Sequence, residues 1–274
     1  MTTNGRAEQQ PEVVGETLFK FQSVSKVFAR DKQVVTALAD ASFDIRRGEF
    51  LAIVGPSGCG KSTLLNLAAG LMDPTRGSVS YMGAPLRGVN TNLGYVTQRD
   101  NLLPWRRVNE NIGLGLEIRG MGREERAAAV ADMIDRVGLT GFGHHYPAEL
   151  SGGMRKRVTL ARTLVLKPET LAMDEPFGAL DAQLKLVLQD ELLRLWSGSS
   201  QTCIFVTHDL AEAVMLADRV VAMSARPGRI RTILEIDIPR PRNIFTLRFT
   251  DRFSELHQQL WNVLEDDFRH GVEV

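Results

Sequence analysis

One stretch limits this chain more than any other. The apolar run Phe50-Leu51-Ala52-Ile53-Val54 passes directly into Gly55-Pro56-Ser57-Gly58-Cys59-Gly60-Lys61-Ser62, and Thr63 to Ala69 continue with helix-compatible residues. A wholly apolar run of this length suits a strand buried on both faces. Glycines at 55, 58 and 60 let the following backbone curl until successive N–H groups point inward, and the helix beyond adds the positive end of its dipole. The product is a seat for a polyanion. Its spacing is G-x-x-x-x-G-K-[ST], in which Lys61 supplies a point charge for the outer phosphates and Ser62 offers a hydroxyl to Mg²⁺.

The surroundings read as an α/β protein. Thr17 to Phe21, Val34 to Leu38 and Phe43 to Ile45 have the alternation of short strands in a half-exposed sheet. Leu171 to Met173, Thr202 to Thr207 and Arg219 to Met223 read as buried strands, separated by helical patterns at Ala182 to Trp196 and Leu210 to Ala217. This alternation predicts a three-layer core. Between Gln98 and Ser151 the strand signals vanish, Ala127, Val130, Ile134 and Val137 recur at helical spacing, and Gly138 follows where a helix should end. After Met223 come a β-like Arg229 to Ile238, the turn Pro239-Arg240-Pro241-Arg242 and an amphipathic helix from Phe249 to Leu264. The reading divides the chain into a leader (1–16), a core in two pieces (17–97 and 160–240), a helical insert (98–159) and a short helical tail (241–274).

Composition narrows the classes further. Lys plus Arg number 33 and so do Asp plus Glu, so no net field draws the chain to nucleic acid or an anionic membrane. The arginines from 226 to 242 lack interleaved aromatics and are expected to lie solvated at the surface. No apolar run approaches the roughly eighteen residues needed to cross a bilayer. The polar leader carries no export signal, which points to the cytosol. Two cysteines, Cys59 and Cys203, are too few for a disulfide framework and fit a reducing compartment. Cys59, at a helix N-terminus, is expected to have a lowered pKa and to be open to alkylation. The pair His144-His145 lacks the spaced partners of a metal site.

Two further motifs bear on chemistry. Leu171-Ala172-Met173 runs into Asp174-Glu175. A buried strand ending there sets Asp174 beside the anion seat, where it can hold Mg²⁺ through water, and leaves Glu175 to take a proton from an attacking water. Adjacent acids after a strand are common in turns, so the pair gains its weight from the glycine loop. The second motif is Leu150-Ser151-Gly152-Gly153-Met154, which opens a helix running to about Leu166. It makes a second anion-binding helix N-terminus. One triphosphate already has a full seat, so this second one suits the nucleotide of another subunit.

Leu150 to Met154, with Arg155 to Arg162 behind it, resembles the signature motif and helix of ATP-binding-cassette (ABC) ATPases, with Met154 where that family often has Gln. The resemblance covers Thr17 to Met223. It implies a P-loop NTPase (RecA-like) three-layer α/β core with an antiparallel β subdomain and an inserted helical subdomain, hydrolysing ATP with Mg²⁺. It also implies a head-to-tail dimer of two copies. ATP is then held between Gly55, Pro56, Ser57, Gly58, Cys59, Gly60, Lys61, Ser62 and Thr63 of one copy and Ser151, Gly152 and Gly153 of the other. Phe28 sits where the family stacks an aromatic ring on adenine, although an aromatic there can equally belong to the core. Gln98 resembles the glutamine that touches Mg²⁺ or the attacking water and hinges the helical insert. Asp181 ends Phe177-Gly178-Ala179-Leu180-Asp181, which is similar to the loop linking the two sites across the dimer. His208 resembles the switch histidine on the γ-phosphate.

Leu102-Leu103-Pro104-Trp105, Arg226-Pro227-Gly228-Arg229-Ile230 and Pro239 to Arg242 look like the nitrate, sulfonate and taurine importer branch. That likeness implies the ATP-hydrolysing subunit of an importer for a small solute. Such a subunit docks through Leu102 to Trp105 on a separate transmembrane permease, is served indirectly by a periplasmic or lipoprotein solute-binding protein, and lies peripherally on the cytoplasmic side of the inner membrane with no nucleic-acid partner. The alternative is a non-transport ABC ATPase acting on DNA or ribosomes. Those relatives use coiled-coil or zinc-bearing inserts or tandem cassettes, and this chain shows none. A non-hydrolysing ATP-gated scaffold is a second rival, opposed by the intact set Lys61, Asp174, Glu175 and His208.

Overall fold

In a computed structural model, the described residues are 15–30, 33–178, 180–197 and 199–270. The expected leader falls on positions 1–14, outside them, and on Gly15 and Glu16, where the Glu16 carbonyl accepts the Arg47 N–H at 2.9 Å. The chain opens with two long antiparallel strands, β1 (Thr17–Arg30) and β2 (Gln33–Arg46). They outrun the short strands expected from alternation because bulges between Phe21 and Lys26 break the period without ending the ladder. Ser23, at φ 48°, donates its N–H to the Ser42 hydroxyl, and the Ser25 hydroxyl accepts from Asp40, so side chains cover the gaps.

β3 (Phe50–Val54) leads through the glycine loop into α1 (Lys61–Ala68), followed by β4 (Arg76–Tyr81) and β5 (Ala84–Pro85). The first sheet has the order β2-β1-β4-β5. Next come β6 (Leu93–Val96), three helices α2 (Val108–Ile118), α3 (Arg123–Arg136) and α4 (Gly152–Leu164), and β7 (Thr170–Asp174). α3 ends before Gly138, whose φ of 65° is the left-handed value glycine adopts most readily. The rest alternates: α5 (Ala182–Ser197), β8 (Thr202–Thr207), α6 (Leu210–Leu216), β9 (Arg219–Met223), β10 (Ile230–Glu235), α7 (Ile244–Leu247) and α8 (Asp251–His270).

The second sheet has the order β10-β9-β3-β8-β7-β6, parallel except for β10. Successive residues of its strands feed different cores. Phe50, Ala52, Val54, Met173, Phe205 and Ala222 face the helices α2 to α6 and α8, whereas Leu51, Ile53, Ala172, Ile204, Val206 and Val221 face α1 and the first sheet. Both faces are covered, which is why these strands have no polar face.

The arginines of the 239–242 turn are not solvated, contrary to the expectation from charge. Arg242 is buried and donates to the carbonyls of Ala217 (2.7 Å), Ile238 (2.9 Å), Met215 (3.2 Å) and Ile236 (3.4 Å). The last carbonyls of a helix lack partners within it, and a guanidinium fork supplies several donors at once. Burial pulls the Arg242 pKa down to about 10, which leaves it charged at neutral pH. Arg240 stacks over the Trp196 ring at 4.4 Å and pairs with Asp218 at 2.7 Å.

Candidate functional site

The carboxyl ends of β3, β7 and β8 lie side by side, the edge at which open parallel sheets receive ligands. From β3 the chain turns through Gly58 at φ 75° and Gly60 at φ 102°, angles that strain any other residue. The loop has no room to be anything else. A Cβ at Gly60 would stand 2.7 Å from Leu38 Cδ2 and 2.9 Å from the Ala37 carbonyl, and one at Gly55 would stand 2.7 Å from the Met223 carbonyl. Lys61 opens α1 with 5% of its surface exposed. Its ammonium donates to the carbonyls of Gly55 (2.9 Å) and Pro56 (3.0 Å) and lies 3.7 Å from Glu175 Oε1.

Ser62 points the other way and donates to Asp174 Oδ1 at 3.0 Å. Burial raises the Asp174 pKa, the Ser62 hydrogen bond opposes that, and the neighbouring Glu175 charge adds to it. A hydroxyl and a carboxylate oxygen are the hard donors Mg²⁺ prefers. Among the described residues no cluster of three or more His, Cys, Asp or Glu is placed to hold a metal, so a cation held by this pair would need further oxygen donors from outside the chain. Glu175 has the left-handed φ of 44° and is held by its N–H to the Val206 carbonyl at 2.9 Å. A non-glycine residue in that region costs on the order of 1 kcal/mol or more. The backbone kink sets Glu175 Oε2 3.1 Å from His208 Nδ1, the residue after β8.

Lys61, Ser62, Asp174, Glu175 and His208 are therefore together. Outside the glycine loop, the other expected site residues are held by local contacts of their own. Ser151 caps α4, accepting the Met154 N–H at 3.3 Å; Ser151 and Gly152 are exposed, and Gly153 lies with its back on Leu184. Asp181 accepts the Leu184 N–H at 3.0 Å at the start of α5. Gln98 is tied through its carbonyl to Lys156 Nζ at 2.9 Å. Phe28 is 42% exposed, outside both cores, with the Lys26 ammonium 5.4 Å from its ring centroid. Met154 packs against the main core.

Cys59 reverses its expectation. Its side chain is fully buried, and desolvation pushes the thiol pKa up and outweighs the nearby Lys61 charge.

Three groups around the site were not legible in the sequence. Tyr95 on β6 lies near Asp174, and burial and then the Asp174 charge raise its pKa. Lys185 on α5 bridges Asp209 and Glu212 at 2.8 Å each, and Glu212 also receives the Thr207 hydroxyl and Gln189. Arg226 bonds the Gly58 carbonyl. Tyr95 stood in the segment that carries Gln98, but nothing in one dimension pairs β6 with β7.

A glycine loop between strand and helix, a buried lysine and an acid pair across the sheet edge define a P-loop nucleoside-triphosphate-binding protein. A profile of the ABC transporter family matches residues 38–178, and the chain belongs to that family as an ATP-binding, ATP-hydrolysing subunit. It is 45% identical over 248 residues to an uncharacterized ABC transporter ATP-binding protein of Methanocaldococcus jannaschii, covering 90% of this chain and 91% of the relative. Identity is 42% over 257 residues to a taurine import ATP-binding protein of Burkholderia pseudomallei, covering 92% of this chain and 98% of the relative. A nitrate import ATP-binding protein of Synechococcus elongatus is 43% identical across 85% of this chain, which matches 36% of that longer relative. Among solved structures, a dimeric ATP-binding cassette in a post-hydrolysis state with ADP and phosphate superposes with a TM-score of 0.71 at 29% identity, covering 81% of this chain and all of the other. The expected α/β cassette fold is the observed one.

Proposed function

We propose that this chain is the motor subunit of an importer for a small solute of the nitrate, sulfonate or taurine kind, working as a head-to-tail pair. One observation carries the reading: Lys61, Ser62, Asp174, Glu175 and His208 converge at one sheet edge, while the Ser151 turn opens outward to solvent. The names of the taurine and nitrate relatives and the dimeric cassette support the pairing and the import role, and they do not favour an enzyme of DNA or ribosomes.

In this reading Lys61 releases the loop carbonyls and turns its ammonium to the outer phosphates as they enter. The loop N–H groups from Gly55 to Thr63 hold the phosphate chain, and Phe28 stacks on the adenine. Ser62 and Asp174, with Gln98, would hold Mg²⁺, which when bound neutralises charge on the phosphates. Glu175 takes the proton of the attacking water, and His208 keeps the carboxylate aimed while reaching the γ-phosphate. Ser151, Gly152 and Gly153 of the second copy close the other side, and Asp181 links the two sites. The proposed parts are the insert 98–159, the core pieces 17–97 and 160–240 and the tail 241–274, and α4 runs unbroken across the boundary at 159/160, so insert and core are coupled rigidly there. Trp105, 71% exposed beside Leu102 and Leu103, gives an apolar surface for a permease. Among the described residues no helix is long and apolar enough to cross a membrane. The subunit then sits peripherally on the cytoplasmic side of the inner membrane, with the solute-binding protein acting through the permease.

Glu175→Gln tests the reading. ATP affinity should stay within about twofold while turnover falls at least about a hundredfold, the contribution of a general base. Phosphate release at the wild-type rate removes Glu175 from its role. Copurification with nucleic acid instead of a multi-span membrane protein removes the import role.

A further inference from the structure

The last helix is far from the phosphate seat in sequence, yet a short chain of contacts joins them. Asp267, near the end of α8, is buried, with 7% of its surface exposed. Its carboxylate accepts the Ala225 N–H at 3.0 Å and a two-toothed fork from Arg231, Nε at 3.0 Å and Nη2 at 3.1 Å. Those bonds hold both sides of the hairpin between β9 and β10. Within it the Ser224 hydroxyl accepts the Arg229 N–H at 3.0 Å and donates to the Pro227 carbonyl at 3.2 Å.

The tip of this hairpin lies on the glycine loop. Arg226 donates through Nε and Nη2 to the Gly58 carbonyl, each at 3.3 Å. Gly228 exchanges backbone bonds with Ala37 and Ala39 at 3.0 Å each. It is pressed so close to the loop that a Cβ there would stand 1.9 Å from the Cys59 carbonyl oxygen. A loop that turns its N–H groups inward must turn carbonyls outward, and outward carbonyls need donors. Arg226 supplies one, and Gly228 lets the hairpin approach closely enough for it to do so. Holding the loop in its receiving shape before the phosphates arrive reduces the ordering cost of binding.

We propose that Asp267, Arg226 and Gly228 are positioning residues that brace Gly58 and Cys59, so that the nucleotide affinity of the seat depends on the C-terminal helix. The proposal rests on residues 55–63 being the triphosphate seat. The test uses the full chain and measures the dissociation constant for ATP with Mg²⁺ by titration calorimetry, alongside KM, kcat and Tm. Asp267→Ala should raise Kd and KM about fivefold to tenfold while kcat at saturating ATP stays within about twofold, a fraction of one charge-assisted hydrogen bond passed along the hairpin. Asp267→Asn keeps an acceptor for Ala225 and loses the charge that holds Arg231, and should fall between. Arg226→Ala should raise Kd similarly, and adding it to Asp267→Ala should cost little more than the larger single change, because both act along one path.

A lowered Tm with Kd unchanged in the folded protein overturns the proposal, and so does a fall in kcat with Kd unchanged. Arg226 is exposed, so Arg226→Ala and Arg231→Ala decide by the same criteria if Asp267→Ala does not fold. Lys61→Ala separates the two levels: if it binds ATP as tightly as the wild type, the assignment of the seat fails, whatever the tail variants do.

Discussion

Two helix starts in this molecule use the same physics and are finished to different degrees. α1 follows a glycine-bearing turn and α4 opens on Gly152 and Gly153, and both aim unpaired N–H groups and a positive dipole end at whatever lies before them. At α1 the chain supplies everything else: a buried Lys61, glycine angles of 75° and 102°, and walls from Ala37, Leu38 and Met223. At α4 it supplies a serine cap at 3.3 Å and leaves Ser151 and Gly152 in solvent. Among the described residues no hydrogen bond joins 151–153 to 55–63. A seat with cation, base and walls can bind alone, whereas a bare helix end acts only against an anion delivered from outside. On the proposed reading, the contrast gives affinity to the first start and turnover to the second.

Ser151→Arg should break that division most visibly. On the proposed reading the side chain fills the space meant for the second copy's nucleotide. Turnover should fall by about a thousandfold or more, the scale of losing preorganised donors at a transition state. Affinity of the single chain for ATP should stay within about twofold, because the α1 seat is untouched. Steady-state hydrolysis against calorimetric Kd reads both, and hydrolysis at the wild-type rate would show that the α4 start takes no part.

The two starts are joined through α5. Its Leu184 backs Gly153, and the Lys185 N–H bonds the Asp181 carbonyl, while the Lys185 ammonium bridges Asp209 and Glu212 just after His208. Burial raises the Glu212 pKa, with the Lys185 bonds opposing it. At Asp209 burial also pulls upward, but the bonds from Lys185 and two backbone N–H groups win and the pKa is lowered. Lys185→Met strands both carboxylates, one of them almost wholly buried. The cost should be about 2 kcal/mol, below the ~3–5 kcal/mol of a fully buried broken pair because Asp209 keeps about a third of its side chain in water. Tm should drop by roughly 5 °C and turnover several-fold.

The pH dependence carries the sign. In the wild type, Asp209 contributes stability above its unfolded pKa and loses it as acid protonates the folded form. Removing Lys185 takes away lowering contributions at both carboxylates, so their folded pKa values move up relative to the wild type and protonation relieves part of the loss. The Tm deficit should therefore shrink as the pH falls toward the ordinary carboxylate range. A deficit that widens instead would mean that Lys185 is not what compensates these acids.

Legibility followed burial. β8 and β9 coincide with their expected runs because strands covered on both faces show up as unbroken apolar sequence. Only parts of β1 and β2 show in the sequence, because bulges at Ser23 to Lys26 disturb the alternation that marks a half-exposed strand. At the site, Lys61, Ser62, Asp174, Glu175 and His208 are legible because each ends or directly follows a buried strand or lies in the first turn of the helix after one. Tyr95, Lys185 and Arg226 are not, since their partners Asp174, Glu212 and Gly58 are brought near only by strand order and the return of the β9–β10 hairpin. Charge misled at Arg240 and Arg242 for a related reason. Their partners include an acid, an indole and helix-end carbonyls, and a carbonyl leaves no mark on side-chain sequence.

The smallest effect tests how closed the α1 start is before any nucleotide arrives. Cys59 and Cys203 are both 0% exposed, and desolvation raises both thiol pKa values. A thiolate is the reactive form, so a buried thiol with a raised pKa reacts slowly even where a helix end and Lys61 lie near. Folded protein at about pH 8 should therefore show almost no labelling by a small disulfide reagent, and denatured protein should show both cysteines labelled, with ATP making no difference. Labelling of Cys59 in folded protein, slowed by ATP, would mean that the glycine loop opens in the absence of nucleotide. The α1 start would then resemble the α4 start, waiting for its anion to complete it, and the division between them would be one of timing rather than of construction.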